Sequence, residues 1–150
     1  MSKVTITVPD PQLTVQTLLS ANWSNGNTNS RTPKFVTGTT KGLDLNVSDE
    51  VRIYITSMTS DDEGVSGAHL TRTDRVSIDC RTKKDRSHMF KMMSEVERIL
   101  ASNRITPSTL PSGAQYDLIK AGNWVNPVEW PDFWQMVLDV TLLGIWEAKS

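Results

Sequence analysis

Hydrophobic residues recur at helical spacing in two segments of the chain. Asp10 and Pro11 begin the first segment, because an Asp side chain accepts free backbone amides and Pro at the first helical position loses no hydrogen bond. This helix is expected to run to about Ala21. The second helix begins after Asp85 and ends at Asn103, a residue that tolerates the left-handed cap conformation. Its apolar stripe consists of Met89, Met92, Met93, Val96, Ile99 and Leu100. The spacing therefore predicts two main helices.

Alternating apolar and polar residues predict the strands of a sheet. The apolar face of the first clear strand holds Val51, Ile53 and Ile55, and its polar face holds Arg52, Tyr54 and Thr56. The next strand covers residues 72–82, with Val76, Ile78 and Cys80 on one face and Arg75, Ser77, Asp79 and Arg81 on a charged face. Other patterns indicate a short strand at Phe35 and Val36, a strand in residues 116–125 interrupted at Gly122, and a long final strand in residues 134–143.

Two segments have no sustained apolar period. Residues 22–32 are rich in Asn, Ser, Thr and Gly, which compete with regular structure, so this segment is predicted to be a loop. Residues 58–71 contain small and acidic residues, and they predict a mobile loop or a long hairpin arm. The order of helix, strands, helix and strands predicts an α+β fold in a single domain, 1–150. We expect a small, mostly antiparallel or mixed sheet with two main helices packed on one face and long loop or hairpin arms.

Length and composition narrow the class of protein. A chain of 150 residues supports one compact core, and a net charge of −1 gives no global attraction to nucleic acid or anionic membrane. The single Cys80 excludes an intramolecular disulfide. The first ten residues lack the apolar core of a secretory signal, and the longest apolar-rich stretch, residues 133–146, is interrupted by polar residues. We therefore expect no export and no membrane partner.

One literal match to a catalytic motif occurs near the end of the sequence. Asp132, Glu147 and Lys149 follow the order of a metal-dependent nuclease site, in which two carboxylates hold a divalent cation. The intervening residues alternate as one strand, which would separate the two acids by about 50 Å. The sequence therefore favours a chance match and keeps the nuclease as a third hypothesis.

The sequence supports the other candidate metal and catalytic sites less well. Asp61, Asp62, Glu63 and Gly64 lack the ligand spacing of a calcium loop, and His69 and His88 have no cysteine cluster for zinc, so solvated or capping roles are expected for both histidines. Ser87 precedes His88, but no nucleophile elbow surrounds it. We predict no enzyme activity, no metal site and no cofactor.

Charge is distributed unevenly along the chain. Residues 72–104 hold nine basic and five acidic residues, whereas residues 44–63 hold one basic and six acidic residues. Surfaces of opposite charge on one chain suit head-to-tail contacts between copies. A basic cluster lies where a strand leads into a helix, and it is either a solvated turn or a phosphate contact; its members are Arg81, Lys83, Lys84 and Arg86. Arg75 and Arg81 share a strand face that could line a pore for DNA.

The order and character of these segments resemble the small tail-terminator or tail-completion (neck) proteins of tailed viruses of bacteria and archaea. The resemblance rests on LLSANW followed by an Asn/Thr loop and Pro33-Lys34-Phe35, on DRVSIDCRT followed by DRSHMFKMMSEVERILASNRITP, and on the final WPDFWQMVLDVTLLGIWEA. These segments cover most of the chain.

The resemblance implies a structural virion protein, assembled in the host cytoplasm, without catalytic residues. Such proteins form a ring, typically hexameric, that caps the tail tube and meets the head-neck connector. The implied partners are further copies of the chain, the tail tube protein, a head-completion or connector protein and, non-specifically, passing DNA. Candidate subunit contacts are Asp61, Asp62, Glu63, Val65, His69, Asn25 and Asn27, and candidate lumen- or phosphate-facing residues are Arg75, Arg81, Lys83 and Lys84. Another neck protein or a tube subunit is the alternative.

Overall fold

The computed structural model describes residues 10–28, 32–38, 45–63, 69–104, 116–125 and 132–147. The helices are α1 (Pro11–Asn22), α2 (Asn25–Thr28) and α3 (Arg86–Ser102). The strands are β1 (Lys34–Thr37), β2 (Glu50–Glu63), β3 (His69–Thr82), β4 (Leu118–Val125) and β5 (Trp134–Glu147). The predicted α+β class is confirmed.

The five strands form one mixed sheet in the order β1-β2-β3-β5-β4. β1 runs parallel to β2, and all other neighbours are antiparallel. The register of β4 on β5 shifts between Ala121 and Trp124, as the interruption at Gly122 predicts. A Cβ atom at Gly122 would lie 3.0 Å from the carbonyl oxygen of Asp139, so close approach of the two strands requires a glycine here.

Both main helices begin where the sequence predicts. The Asp10 side chain accepts the backbone amides of Gln12 at 3.0 Å and Leu13 at 3.2 Å, and Asp85 accepts the amide of His88 at 2.7 Å. These bonds satisfy amides that have no partner within the helix. α3 ends at Asn103 with φ −119°, so the left-handed cap prediction is wrong. The Asn103 amide bonds to the carbonyls of Ile99 and Leu100 instead.

The hydrophobic core lies between the sheet and the two main helices. Buried side chains of α1, α3 and the central strands belong to one cluster, which confirms that both helices pack on one face. Its largest fully buried members are Leu18, Leu19, Ile53, Ile78, Met89, Met92, Ile99, Leu100, Ile119, Leu138 and Leu142. Ile55, predicted to be buried with Val51 and Ile53, is 39% exposed. It lies beside the first turn of α1, where Gln12 accepts its amide at 3.0 Å and the helix layer ends.

Both segments that were predicted to lack regular structure contain secondary-structure elements. Residues 25–28 form the four-residue α2 within the predicted loop, because Thr28 is buried and its hydroxyl bonds to the carbonyl of Asn25. Of residues 58–71, the structure describes 58–63 and 69–71, and these residues form paired strands, as the hairpin-arm interpretation predicts. β2 continues to Glu63 and β3 begins at His69, because continuous pairing from Ser57↔Arg75 to Glu63↔His69 satisfies their backbones. β5 likewise extends to Glu147 rather than ending near residue 143.

Candidate interface sites

An arm of three strands extends the sheet beyond the helix layer. We define the arm as residues 57–63 of β2, residues 69–75 of β3 and residues 143–147 of β5. β5 remains paired with β3 as far as His69↔Glu147, so the hairpin is supported by a third strand. Residues 57–60 and Arg75 are exposed. These residues of the arm are therefore available for contact.

The acidic candidates lie at the far end of this arm. Asp61, Asp62 and Glu63 are the last residues of β2, and Glu63 is paired with His69 of β3. Val65 lies outside the described residues. The structure therefore brings four of the predicted contact residues together on adjacent strands.

A buried polar cluster supports the base of the arm. Nε of Arg72 lies 2.9 Å from Oδ2 of Asp74, and another Arg72 nitrogen donates to the Ser60 hydroxyl at 3.2 Å. The Tyr116 hydroxyl also donates to Asp74, whose side chain is fully buried. Burial and this bond raise the pKa of Tyr116 above its usual range. The Arg72–Ser60 bond joins the two strands of the hairpin to each other. The Tyr116–Asp74 bond joins this hairpin to the rest of the protein.

Asn25 and Asn27 lie on α2 rather than in a loop. Both are exposed, and Nδ2 of Asn25 donates to the Thr32 hydroxyl at 2.6 Å. Asn27 lines a groove of about 410 Å³ between α2 and α3, together with Phe90 and Arg98. This groove lies on the outer surface of the helix layer, apart from the arm.

The four basic candidates do not form one patch. Arg75 is exposed on the arm, whereas Arg81 bonds to Asp79 at 3.0 Å and lies over the Phe133 ring, 5.6 Å from its centroid. Burial lowers the pKa of Arg81, but the hydrogen bond and charge of Asp79 outweigh this effect and raise it overall.

Lys83 and Lys84 are exposed at the turn before α3, and Nζ of Lys83 lies 3.4 Å from Oδ1 of Asn46. Of the four basic candidates, Arg75 on the arm and the lysine pair at the turn therefore face solvent.

The sheet face opposite the helices differs from the prediction. Arg52 and Asp79 were expected to face solvent, but they are 7% and 3% exposed. Nε of Arg52 lies 2.6 Å from Glu50, and Nε2 of Gln135 donates to both carboxylate oxygens of Asp79, at 3.0 and 2.9 Å. Hydrogen-bonded partners let these charged groups be buried. Glu50 lies on the same strand as Arg52, whereas Gln135 reaches Asp79 from β5, a contact for which the pattern of one strand contains no signal.

His88 is also buried, contrary to the expectation of a solvated or capping side chain. Its Nε2 lies 2.8 Å from Oδ2 of Asp49, and the Thr82 hydroxyl donates to Oδ1 of the same carboxylate at 2.7 Å. The three residues join β3, α3 and the segment before β2. A buried carboxylate with these partners holds neighbouring elements together.

The geometry offers little for catalysis. Asp132 lies two residues before β5 and Glu147 is the last residue of this strand, which alone spans more than about 40 Å, so the two acids cannot share one metal ion. Burial, followed by the charges of Asp79 and Asp49, raises the pKa of the Cys80 thiol well above its usual range, which makes it a poor nucleophile. Within the described ranges, no group of three or more His, Cys, Asp or Glu residues is placed to hold a metal ion.

Comparisons with known proteins do not assign this chain to a family. Neither a scan against protein-family models nor a search of curated proteins finds a match to this chain. Across the part of the chain that the structure describes, no helix is both long and apolar enough to span a bilayer.

Proposed function

We propose that this protein is a structural component of a viral tail or neck, a tail terminator whose copies associate as a ring on the end of the tail tube. The observation that carries this proposal is the arm, a long three-stranded extension whose exposed surface has no role in the core. Regular, exposed and supported strands suit contacts between subunits. The resemblance in segment order supports the same assignment.

The distribution of charge also supports contacts between copies. The acidic end of the arm, at Asp61, Asp62 and Glu63, and the exposed lysines at residues 83 and 84 occupy different strand ends of one subunit. Opposite charges at two places along one chain suit a heterologous contact, which closes into a ring when the rotation allows. In such a ring, Arg75, Lys83 and Lys84 are the cations available to a neighbour or to passing DNA.

The test of this function is the assembly state of the purified protein across salt concentrations. We expect light scattering with size exclusion to show a large species, and negative-stain imaging to show a ring of about six subunits with a central hole. Salt should weaken the ring, because exposed charges are screened within about 10 Å at 0.1 M. A double reversal, Lys83→Glu with Lys84→Glu, should weaken it further. Lys91→Glu, an exposed charge on α3, is the matched control.

Binding to isolated tail tubes separates the alternatives. A terminator should bind the ends of tail tubes, and a tube subunit should form long polymers. A connector-side neck protein should neither bind tube ends nor polymerise. A monomer at every salt concentration that also fails to bind tubes would contradict the proposal.

A further inference from the structure

The outer edge of β2 is only partly paired. β1 covers it as far as Ile53, and the next outward amide, that of Ile55, bonds to the Gln12 side chain at 3.0 Å. Along residues 57–63, no strand among the described residues pairs with this edge, although the other edge of the same residues is paired with β3. We call this unpaired part of β2 the free edge. Edges of this kind accept a further strand.

The register with β3 shows which backbone groups the free edge presents. In an antiparallel pair, the amides of one strand point alternately towards and away from the partner strand. The Ile55 amide points away from β3, and a one-residue bulge after Ile55 puts Met58 at the same point of the alternation. The amides and carbonyls of Met58, Ser60 and Asp62 therefore face outward.

The free edge also has an apolar side. Ile55 and Met58 lie opposite Val76 and Asp74, which are both fully buried on the face that the helices cover. The side chains of Ile55 and Met58 are nevertheless 39% and 40% exposed, because the helix layer ends beside Ile55. A strand added at this edge would therefore cover apolar surface as well as backbone groups.

A strand pattern precedes α1 in the sequence, in residues that lie outside the described ranges. Residues 3–8 read Lys-Val-Thr-Ile-Thr-Val, so apolar and polar residues alternate after the lysine. Val, Ile and Thr are also the residues that favour strands most. Six residues of a strand span about 20 Å, which is close to the length of the free edge.

The position of α1 directs this segment to the free edge. Gln12, in the first turn of α1, contacts Ile55, whereas Gln16, one turn later, contacts β1 at the level of Val51. α1 therefore runs antiparallel to β2, and the chain enters it from the side of the arm. Only two residues separate the segment from α1. An extended segment before α1 would thus follow the free edge and run antiparallel to β2.

We propose that residues 3–8 of the same chain form a further strand on the free edge of β2 and close it. The two-residue connection gives this segment a higher effective concentration at the edge than the segment of another copy has. The contact does not depend on the proposed ring, and the outer face of the arm, with the exposed Arg75, stays available to neighbours. A closed edge prevents arms of different copies from pairing with each other, because that pairing needs the same backbone groups.

The side-chain pattern and the charges select a register. Opposite residues of an antiparallel pair share a face, so the apolar residues of the segment lie on the helix side only if they are opposite even-numbered residues of the free edge. With Val8 opposite Met58, an apolar residue lies beside an exposed apolar side chain, and Lys3 comes opposite Glu63. Apolar pairs and opposite charges at such positions both stabilise a strand pair.

Amide hydrogen exchange, followed residue by residue on the full chain at a salt concentration that disperses any assembly, tests this pairing. We expect the amides of Met58 and Ser60 to exchange at least about tenfold more slowly than in a variant that lacks residues 2–8. The Thr59 amide points to β3 and is the internal control, since it should stay protected in both proteins. Circular dichroism verifies that the shortened variant folds. Equal exchange of Met58 and Ser60 in the two proteins would overturn the proposal.

Disulfide trapping tests the register and the source of the strand. Thr7→Cys with Thr59→Cys joins opposite positions that exchange no hydrogen bond, where Cβ atoms are closest. After mild oxidation we expect an internal disulfide, seen as a monomer of changed mobility on a non-reducing gel, since native Cys80 is fully buried. Ile6→Cys with Thr59→Cys is the matched control, because these two positions belong to opposite faces and should not link.

Two results of the trapping would contradict the proposal. Linked dimers in place of linked monomers would show that a second copy supplies the strand. Equal linking of the Thr7→Cys and Ile6→Cys variants would show that the segment has no fixed register on β2.

Discussion

Leu100→Ala is the sharpest test of the way α3 packs on the sheet. Leu100 lies in the last turn of α3, is 2% exposed and belongs to the cluster shared by both helices and the sheet. Truncation removes the equivalent of three methylene groups, or about 2.4 kcal/mol of burial at about 0.8 kcal/mol each. A residual cavity adds to this loss, and measured Leu→Ala changes range from about 2 to 5 kcal/mol. We therefore expect the free energy of unfolding to fall by about 3 kcal/mol.

Urea unfolding followed by tryptophan fluorescence measures this change, and the melting temperature should fall by about 6 to 12 °C. Leu13→Ala is the matched control, because it makes the same substitution on α1 at a side chain that is 45% exposed. It should change stability by less than about 1 kcal/mol. If the two variants lost the same stability, or if Leu100→Ala lost less than about 0.5 kcal/mol, the assigned packing of α3 would be refuted.

Three further predictions use other parts of the structure. Asp10→Ala removes the acceptor of two helix amides and should lower stability by about 1 kcal/mol, as thermal unfolding will show, whereas the exposed Ser20→Ala should have little effect. Deletion of residues 61–67 should leave the fold intact by circular dichroism and weaken assembly; unfolding of this variant would disprove the role of the arm. The pKa of the Cys80 thiol is raised in the folded state, so when the pH exceeds the usual thiol pKa of 9.0, only the unfolded state releases the thiol proton. Stability is then lost as pH rises, and wild type should lose about 1.4 kcal/mol more per pH unit than Cys80→Ala in urea titrations between pH 9 and 11. Equal pH slopes for the two proteins would contradict this assignment.

The helices were predictable because their signals are local. Asp10 and Asp85 lie next to the amides that they accept, and the apolar stripe of α3 needs only its own sequence to define its buried face. The bulge in β4 was predictable for the same reason, since Gly122 marks it directly.

Burial on the second face of the sheet was not predictable from any one strand. Arg52 is buried because Glu50 and the Gly38 carbonyl accept from it, and Asp79 is buried because Gln135 arrives from β5. The Arg52–Glu50 pair lies within one strand, but the contacts with the Gly38 carbonyl and with Gln135 depend on strand order and register, which alternation within one segment does not contain. Alternation alone therefore assigned these charged residues to solvent.

The candidate interface was predicted only in part. Residues 61–63 were predicted to be contacts by their position in the resembled family, and small and acidic residues have weak strand propensity, so the regular arm was one of two alternatives. Pairing with β3 and the third strand β5 overrides that weak propensity. The free edge of β2 became visible only when the length of β1 was known, because β1 ends opposite Ile53.

The buried polar face gives the sheet a means of rejecting wrong strand alignments while the chain folds. Side chains alternate between the two faces of the sheet. A shift of the β3 register by one residue would therefore place the Asp79 side chain in the hydrophobic cluster and place Cys80 on the polar face, beside Gln135. The carboxylate would then be buried apart from Gln135 of β5, and Arg81 would be carried into the apolar layer with it, at a cost of several kcal/mol. Misaligned sheets are therefore much less stable than the native one, and a long hairpin with few apolar residues in its arm can still form a single pairing.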